Sequence, residues 1–188
     1  HVRGLLETLV QKTRCEWIKI DFNLDPKAGC TCTAHGHGDG DGLYAHYRGL
    51  YELYDAFRAD HPEIILEACA SGGLRVDAGL MRHVHCAFLS DPDWVPHHLA
   101  TVHGTSHLLP PAAMLHWPMS EWRGKHPRQT LSLRDPELTE DAFDTIIRSG
   151  FMHRFGLSWR LPDLPEKWRR RLKAHLQFYA EHVAPLVR

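Results

Sequence analysis

The sequence has no long apolar run. None of its 188 residues sits in a stretch approaching the ~20 apolar positions that a membrane-spanning helix needs, which argues against a helical membrane protein. A signal-peptide pattern is missing too: His1-Val2-Arg3-Gly4 does not lead from a basic start into an apolar stretch. There is no initiator Met, and the chain opens inside what reads as a helix, so it reads as a piece of something longer. Charge of one sign is not in excess. The net charge is −1 with His neutral, and neither nucleic acid nor an anionic membrane is expected as a partner. The five cysteines are few and odd in number, which argues against a disulfide framework and favours a reducing, cytoplasmic setting. Low-complexity linkers are absent as well, so residues 1–188 read as a single domain.

What is present is an ordinary globular composition, 43% hydrophobic and 24% charged, with an unusual sixteen histidines. So many histidines either crowd a polar site or mark a pH-sensitive surface. Short apolar segments alternate with amphipathic ones. The strands read as Glu16 to Phe22, Ile64 to Cys69, Cys86 to Asp91, Ala112 to His116 and His153 to Ser158. Helices read as Val2 to Lys12, Leu43 to Asp60, Asp77 to His83, Val95 to His107, Thr139 to Ser149 and Leu164 to His182. In the second of these, Leu50, Leu53, Tyr54 and Phe57 have the i, i+3, i+4, i+7 spacing of a helix face.

Near-continuous apolar strands separated by helices predict an α/β fold with a parallel sheet covered on both faces. Chemistry in such sheets gathers at the carboxyl ends of the strands. Polar residues stand there in four successive strands: Asp21 and Asn23, Glu67 and Cys69, Ser90 and Asp91, and His116. A doubly wound open sheet is the competing fold, but no strand is followed by a Gly-rich phosphate turn.

Lys19, Asp21 and Asn23 fall on one side of their strand by its period of two. An ammonium beside Asp21 would keep that carboxylate ionised, as a nucleophile must be; the competing reading is a structural Lys–Asp pair. Asp91 has apolar neighbours, Phe88, Leu89 and Trp94, a setting that suits a proton donor. The competing reading of Asp91 is an N-cap, since Ser-Asp-Pro-Asp is good capping sequence. Two carboxylates on a rim are what glycoside hydrolysis uses, roughly 5–5.5 Å apart in retaining enzymes and about 6.5–9.5 Å in inverting ones. After Glu67-Ala68-Cys69-Ala70, the run Ser71-Gly72-Gly73 predicts backbone that approaches a ligand closely. Cys69 reads as a residue lining the pocket; as a nucleophile it would want a histidine base.

These segments resemble glycoside hydrolase family 36, the α-galactosidase or melibiase family. Lys19-Ile20-Asp21-Phe22-Asn23 is similar to its nucleophile strand, and Glu67 to Gly73 with Arg75 and Asp77 to its Glu-Ser-Cys-Ala-Ser-Gly-Gly-Gly-Arg-Phe-Asp stretch. Leu89-Ser90-Asp91 resembles the acid/base segment. His103-Gly104-Thr105-Ser106, with Pro111 to Met114 and His116, resembles the stretch that follows it. The resemblance runs in order from about residue 15 to 182. It implies a (β/α)8 TIM barrel, of which this chain supplies strands four to eight. It also implies a retaining α-glycoside hydrolase with Asp21 as nucleophile and Asp91 as general acid/base. Lys19 and Asn23 would bond sugar hydroxyls, while Cys69, Gly72 and Gly73 would shape the floor of the pocket. The implied partner is an α-linked oligosaccharide or glycoconjugate, with no cofactor, and any oligomer would form through the full-length protein. Departures surround the pocket: Ile20, Leu24, Phe88, Trp94 and His98 replace the family's usual tryptophan, arginine, tryptophan, aspartate and arginine.

Two other readings stay open. One is a raffinose-synthase-type glycosyltransferase that uses the same residues. The other is a barrel that binds carbohydrate or metal without turnover. Cys30, Cys32, His35, His37, Asp39 and Asp41 hold metal-ligand residue types, yet match no zinc-finger or EF-hand spacing. The expectation is a glycine-rich loop beside the active site without a metal. Lys167 to Arg171 reads as the solvated face of the last helix.

Overall fold

The computed structural model describes residues 1–187, apart from 25, 26, 28, 33, 39, 93, 119–131 and 134. The chain forms two compact units, His1–Ala87 and Phe88–Arg188, and the boundary falls inside a strand rather than in a linker.

The first unit holds α1 (Val2–Thr13), β1 (Trp17–Asp21), α2 (Gly42–Asp60) and β2 (Ile65–Cys69), and then enters β3 (Cys86–Phe88). β1 pairs β2 and β2 pairs β3, both in parallel. Burial explains these elements. On α2, Tyr54 and Phe57 are buried, as the apolar spacing predicts, and they pack with Ile18, Leu66, Ala68 and Ala87 from the strands. Every residue of β2 after Ile65 is buried, as a strand covered on both faces requires.

The second unit continues from Phe88 through α3 (Val95–Ser106), β4 (Met114–His116), α4 (Glu140–Ser149), β5 (Arg154–Phe155) and α5 (Glu166–Phe178). The Leu89 N–H donates to Leu115 O at 3.0 Å beside β4, and β4 pairs β5 in parallel. Its core gathers Phe143, Ile146 and Ile147 of α4 against Trp168 and Leu172 of α5, with Phe143 stacked on Trp168 at 4.6 Å. Thr139 caps α4 by accepting the Ala142 N–H. Within each unit every strand pairs with the next in chain order. A doubly wound sheet would reverse that order at its switch point, whereas a (β/α) barrel keeps it.

β3 and β4 are shorter than the expected Cys86 to Asp91 and Ala112 to His116, and three further elements differ. The helix expected at Asp77 to His83 shrinks to a 3-10 turn, Leu80–Arg82, because the Asp77 carboxylate takes the Leu80 N–H at 2.7 Å and fixes a tight turn. The strand expected at His153 to Ser158 is only Arg154–Phe155, because the Phe155 N–H donates to the Tyr179 hydroxyl rather than to a strand. The last helix begins after Pro165 and widens into a π-turn at Tyr179–Val183, where the Tyr179 hydroxyl also donates to His153 O. Its basic run is not merely solvated: Arg171 reaches Asp144 and Glu140 of α4.

Candidate active site

In the first unit, the parallel register sets Asp21 opposite Cys69 and Lys19 opposite Glu67. Asp21 and Asn23 are exposed, at the carboxyl end of β1. The Cys69 side chain hydrogen-bonds to the Asp21 carboxylate and to the Gly72 backbone. Burial pushes the Cys69 thiol up to about 11, and the Asp21 carboxylate adds to that rise. That contact makes the Cys69 thiol a hydrogen-bond donor to the Asp21 carboxylate.

Lys19 has an ion-pair partner on the neighbouring strand that the local pattern did not reveal. The Lys19 Nζ lies 3.4 Å from Oε1 of Glu67, whose Oε2 accepts from Trp17 Nε1 at 2.8 Å. The physical reason is spacing. Residues two apart on one strand are about 6.6 Å apart, whereas neighbouring strands lie about 4.8 Å apart, so the cross-strand partner is nearer. Glu67, expected on the rim, is only 4% exposed and is fixed between Trp17 and Lys19.

Past β2 the chain turns through Ser71 (φ 45°) and Gly72 (φ 84°), both left-handed. Asn23 holds this turn, since its Oδ1 accepts the Ser71 N–H at 2.6 Å and the Ser71 hydroxyl at 3.2 Å. That leaves Nδ2 as the atom of Asn23 to meet a hydroxyl. Gly72 is buried and Gly73 half-buried, with Gly73 bridged to Ala70. Arg75 carries a role that the residue pattern did not reveal. Its guanidinium lies 4.1 Å over the Phe22 ring and donates to Leu24 O, so it holds the segment that carries Asn23. The first unit thus brings Lys19, Asp21, Asn23, Cys69, Gly72 and Gly73 to the ends of two adjacent strands.

In the second unit, Asp91 is half-buried just past β3. It is not the N-cap of α3; that position belongs to Trp94, which makes no side-chain cap bond. The residue before Asp91 is gripped twice. The Ser90 hydroxyl meets His97 Nε2 at 3.0 Å, and Ser90 O lies 2.6 Å from His116 Nε2. A carbonyl partner assigns the proton of His116 to Nε2. His116, expected on the rim, is fully buried together with His98 and His153. The His98 and His116 rings stack and are joined through their Nδ1 atoms. His153 Nε2 lies 3.2 Å from His98 Nε2, and Ser149 O and Arg154 O face the cluster. Burial holds all three histidines low, His116 to about 3 and His153 to about 4. No single motif pointed to this cluster, because its members come from α3, β4 and the start of β5.

The sequence profile of the family described as Melibiase matches residues 1–187. The chain belongs to the melibiase family. Among curated proteins, the chain is 37% identical over 71 residues to an α-galactosidase 2 of Hypocrea jecorina, covering 38% of this chain and 10% of that protein. It is 28% identical over 113 residues to an α-galactosidase 2 of Pediococcus pentosaceus, covering 59% of this chain and 15% of that one. Among solved structures, a family 36 α-galactosidase variant of Geobacillus stearothermophilus in complex with raffinose superposes with a TM-score of 0.81 at 20% identity, over 99% of this chain and 24% of that one. An α-galactosidase from Lactobacillus brevis gives 0.77 at 22% identity, over 98% and 23%. This melibiase chain thus spans about a tenth of the length of the first curated relative and about a quarter of these structures. Its fold is α/β, part of a (β/α)8 barrel.

Proposed function

We propose that this chain carries both catalytic carboxylates of a retaining α-galactosidase-like glycoside hydrolase. Asp21 attacks the anomeric carbon while Asp91 protonates the leaving oxygen; Asp91 then removes a proton from water, which releases the sugar from Asp21. The observation that carries the reading is the setting of Asp21: an exposed carboxylate at a strand end, given a hydrogen bond by the Cys69 thiol, in a chain that matches the melibiase family over its length. Substrate-side roles fall to Lys19, the Asn23 amide and the backbone at Gly72 and Gly73. The substrate class is an α-linked galacto-oligosaccharide, in keeping with the raffinose bound by a similar structure. Neither a metal nor an organic cofactor takes part in these steps.

Azide rescue in the intact protein tests both roles. Asp21→Gly should lower hydrolysis of aryl α-galactosides by several orders of magnitude, with azide restoring turnover and giving the β-galactosyl azide. Asp91→Gly should lose about 10²–10⁴-fold, with rescue giving the α-azide. Normal turnover by Asp21→Gly contradicts the nucleophile assignment. If disaccharide acceptors are galactosylated in preference to water, the enzyme is a transglycosylase that uses the same residues.

A further inference from the structure

The loop that follows the nucleophile strand brings together three side chains that the proposed glycoside chemistry does not use. Cys30 Sγ lies 3.3 Å from His35 Nε2, and His37 Nε2 lies 3.1 Å from the same atom. All three ligand atoms fall within 4.8 Å of one another. These spacings are near the edges of a tetrahedral zinc site. With Zn–N bonds of about 2.0–2.1 Å and a Zn–S bond of about 2.3 Å, one ion sets N···N at about 3.3 Å and N···S at about 3.6 Å.

The surroundings are those of a metal site. His37 Nδ1 lies 3.0 Å from Gly38 O. That carbonyl assigns the proton to Nδ1 and turns the Nε2 lone pair toward His35 and Cys30, as outer partners do for ligating histidines. Gly36, between the two histidines, has φ +85°, a left-handed bend that lets both rings face one point. The neck of the loop is tight as well. A β-carbon on Gly42, at the start of α2, would run into the Cys30 backbone, and one on Gly29 into Leu43. Cys30 is thereby fixed against the helix end. Two lone pairs and a sulfur converge on a space that solvent reaches, since Cys30 and His35 are exposed. Hydrogen bonds among exposed groups contribute little in water, whereas one cation answers all three donors at once.

We propose that Cys30, His35 and His37 bind one thiophilic divalent cation of the zinc class, with water as the fourth ligand. Binding deprotonates Cys30: its S–H bond breaks, a Zn–S bond forms, and the proton passes to solvent. Affinity therefore falls on acidification. The ion clamps the loop after β1 and does not enter the glycoside chemistry.

Titration of the chelator-stripped, reduced intact protein with Co²⁺ and then Zn²⁺ tests this. One equivalent of Co²⁺ should give tetrahedral ligand-field bands and a thiolate-to-cobalt charge-transfer band, both abolished by one equivalent of Zn²⁺. Cys30→Ser should remove the charge-transfer band, and His35→Ala or His37→Ala should weaken Zn²⁺ binding about tenfold or more. Circular dichroism should stay unchanged, since these loop side chains lie outside the core. Cys32→Ser and the pair His103→Ala and His107→Ala should leave the spectrum intact. Cobalt bound without the thiolate band, a band that survives Cys30→Ser or is lost with Cys32→Ser, or no saturable binding would overturn the site.

Discussion

Lys19 and Glu67 show how a single residue can be placed by a local pattern while a long-range partner escapes it. The period of two puts Lys19 on the face of Asp21, and it is exposed in the structure, as is Asp21. Its ion-pair partner, though, is set by the register between strands, which no local pattern encodes. Glu67 is nearly sealed from water, so Lys19 offsets part of the cost of burying that carboxylate. Lys19→Met should destabilise the fold by about 1–2 kcal/mol, a value reduced for the partial exposure of the lysine, and Lys19→Arg by less. Urea unfolding of the two variants checks this, and equal midpoints for Lys19→Met and the parent would refute it. The position of Asp21 at the exposed end of its strand was legible from the period of two. That Asp91 does not cap α3 was not legible, because Ser-Asp-Pro-Asp reads as good capping sequence until Trp94 is seen at the N-cap.

At the scale of elements, long periodic segments were legible and short ones were not. The apolar face of α2 runs as its spacing predicts, with Tyr54 and Phe57 buried. The turn at Leu80–Arg82 and the two-residue β5 were misjudged because single contacts, from Asp77 and Tyr179, decide them. The histidine cluster joining α3, β4 and the start of β5 has a consequence for pH. His98, His116 and His153 are held neutral by burial, with folded values below the ordinary 6.5. Between about pH 6.5 and 4 the unfolded chain binds more protons than the folded one, so stability rises with pH across that window. Their cost is absent above about pH 6.5 and grows as the pH falls toward the lowered values. Asp144 does not confuse this range, because its contacts with Arg171 and His175 lower it from 3.8 to about 2, and its contribution is lost between those values, below the window. His61, raised by its bond to Glu7, acts in the opposite sense, favouring the fold as the pH falls. Thermal unfolding should show Tm falling from pH 7 to pH 5, and falling less in His116→Gln, whose longer amide reaches the Nε2 position and still donates to Ser90 O. An equal slope in both proteins would remove the cluster from the account.

For the molecule as a whole, the order of strands and helices was legible because a parallel α/β fold writes its alternation into the hydrophobic pattern. The family was legible because several short motifs stand in the right order along the chain. What the alternation hid was the convergence of residues from distant elements: the buried histidines, the Arg75 anchor and the Cys30–His35–His37 group. Such groupings depend on loop geometry and register, and no periodicity reports either. The central claim remains that this chain holds the nucleophile of a retaining glycosidase. Brief incubation of the intact protein with a fluorinated α-galactosyl fluoride, followed by proteolysis and mass spectrometry of the peptides, tests it most directly. A galactosyl adduct on the Asp21 carboxylate is the predicted result. An adduct on any other residue of the chain, or turnover of the reagent with inversion and no adduct, would contradict it.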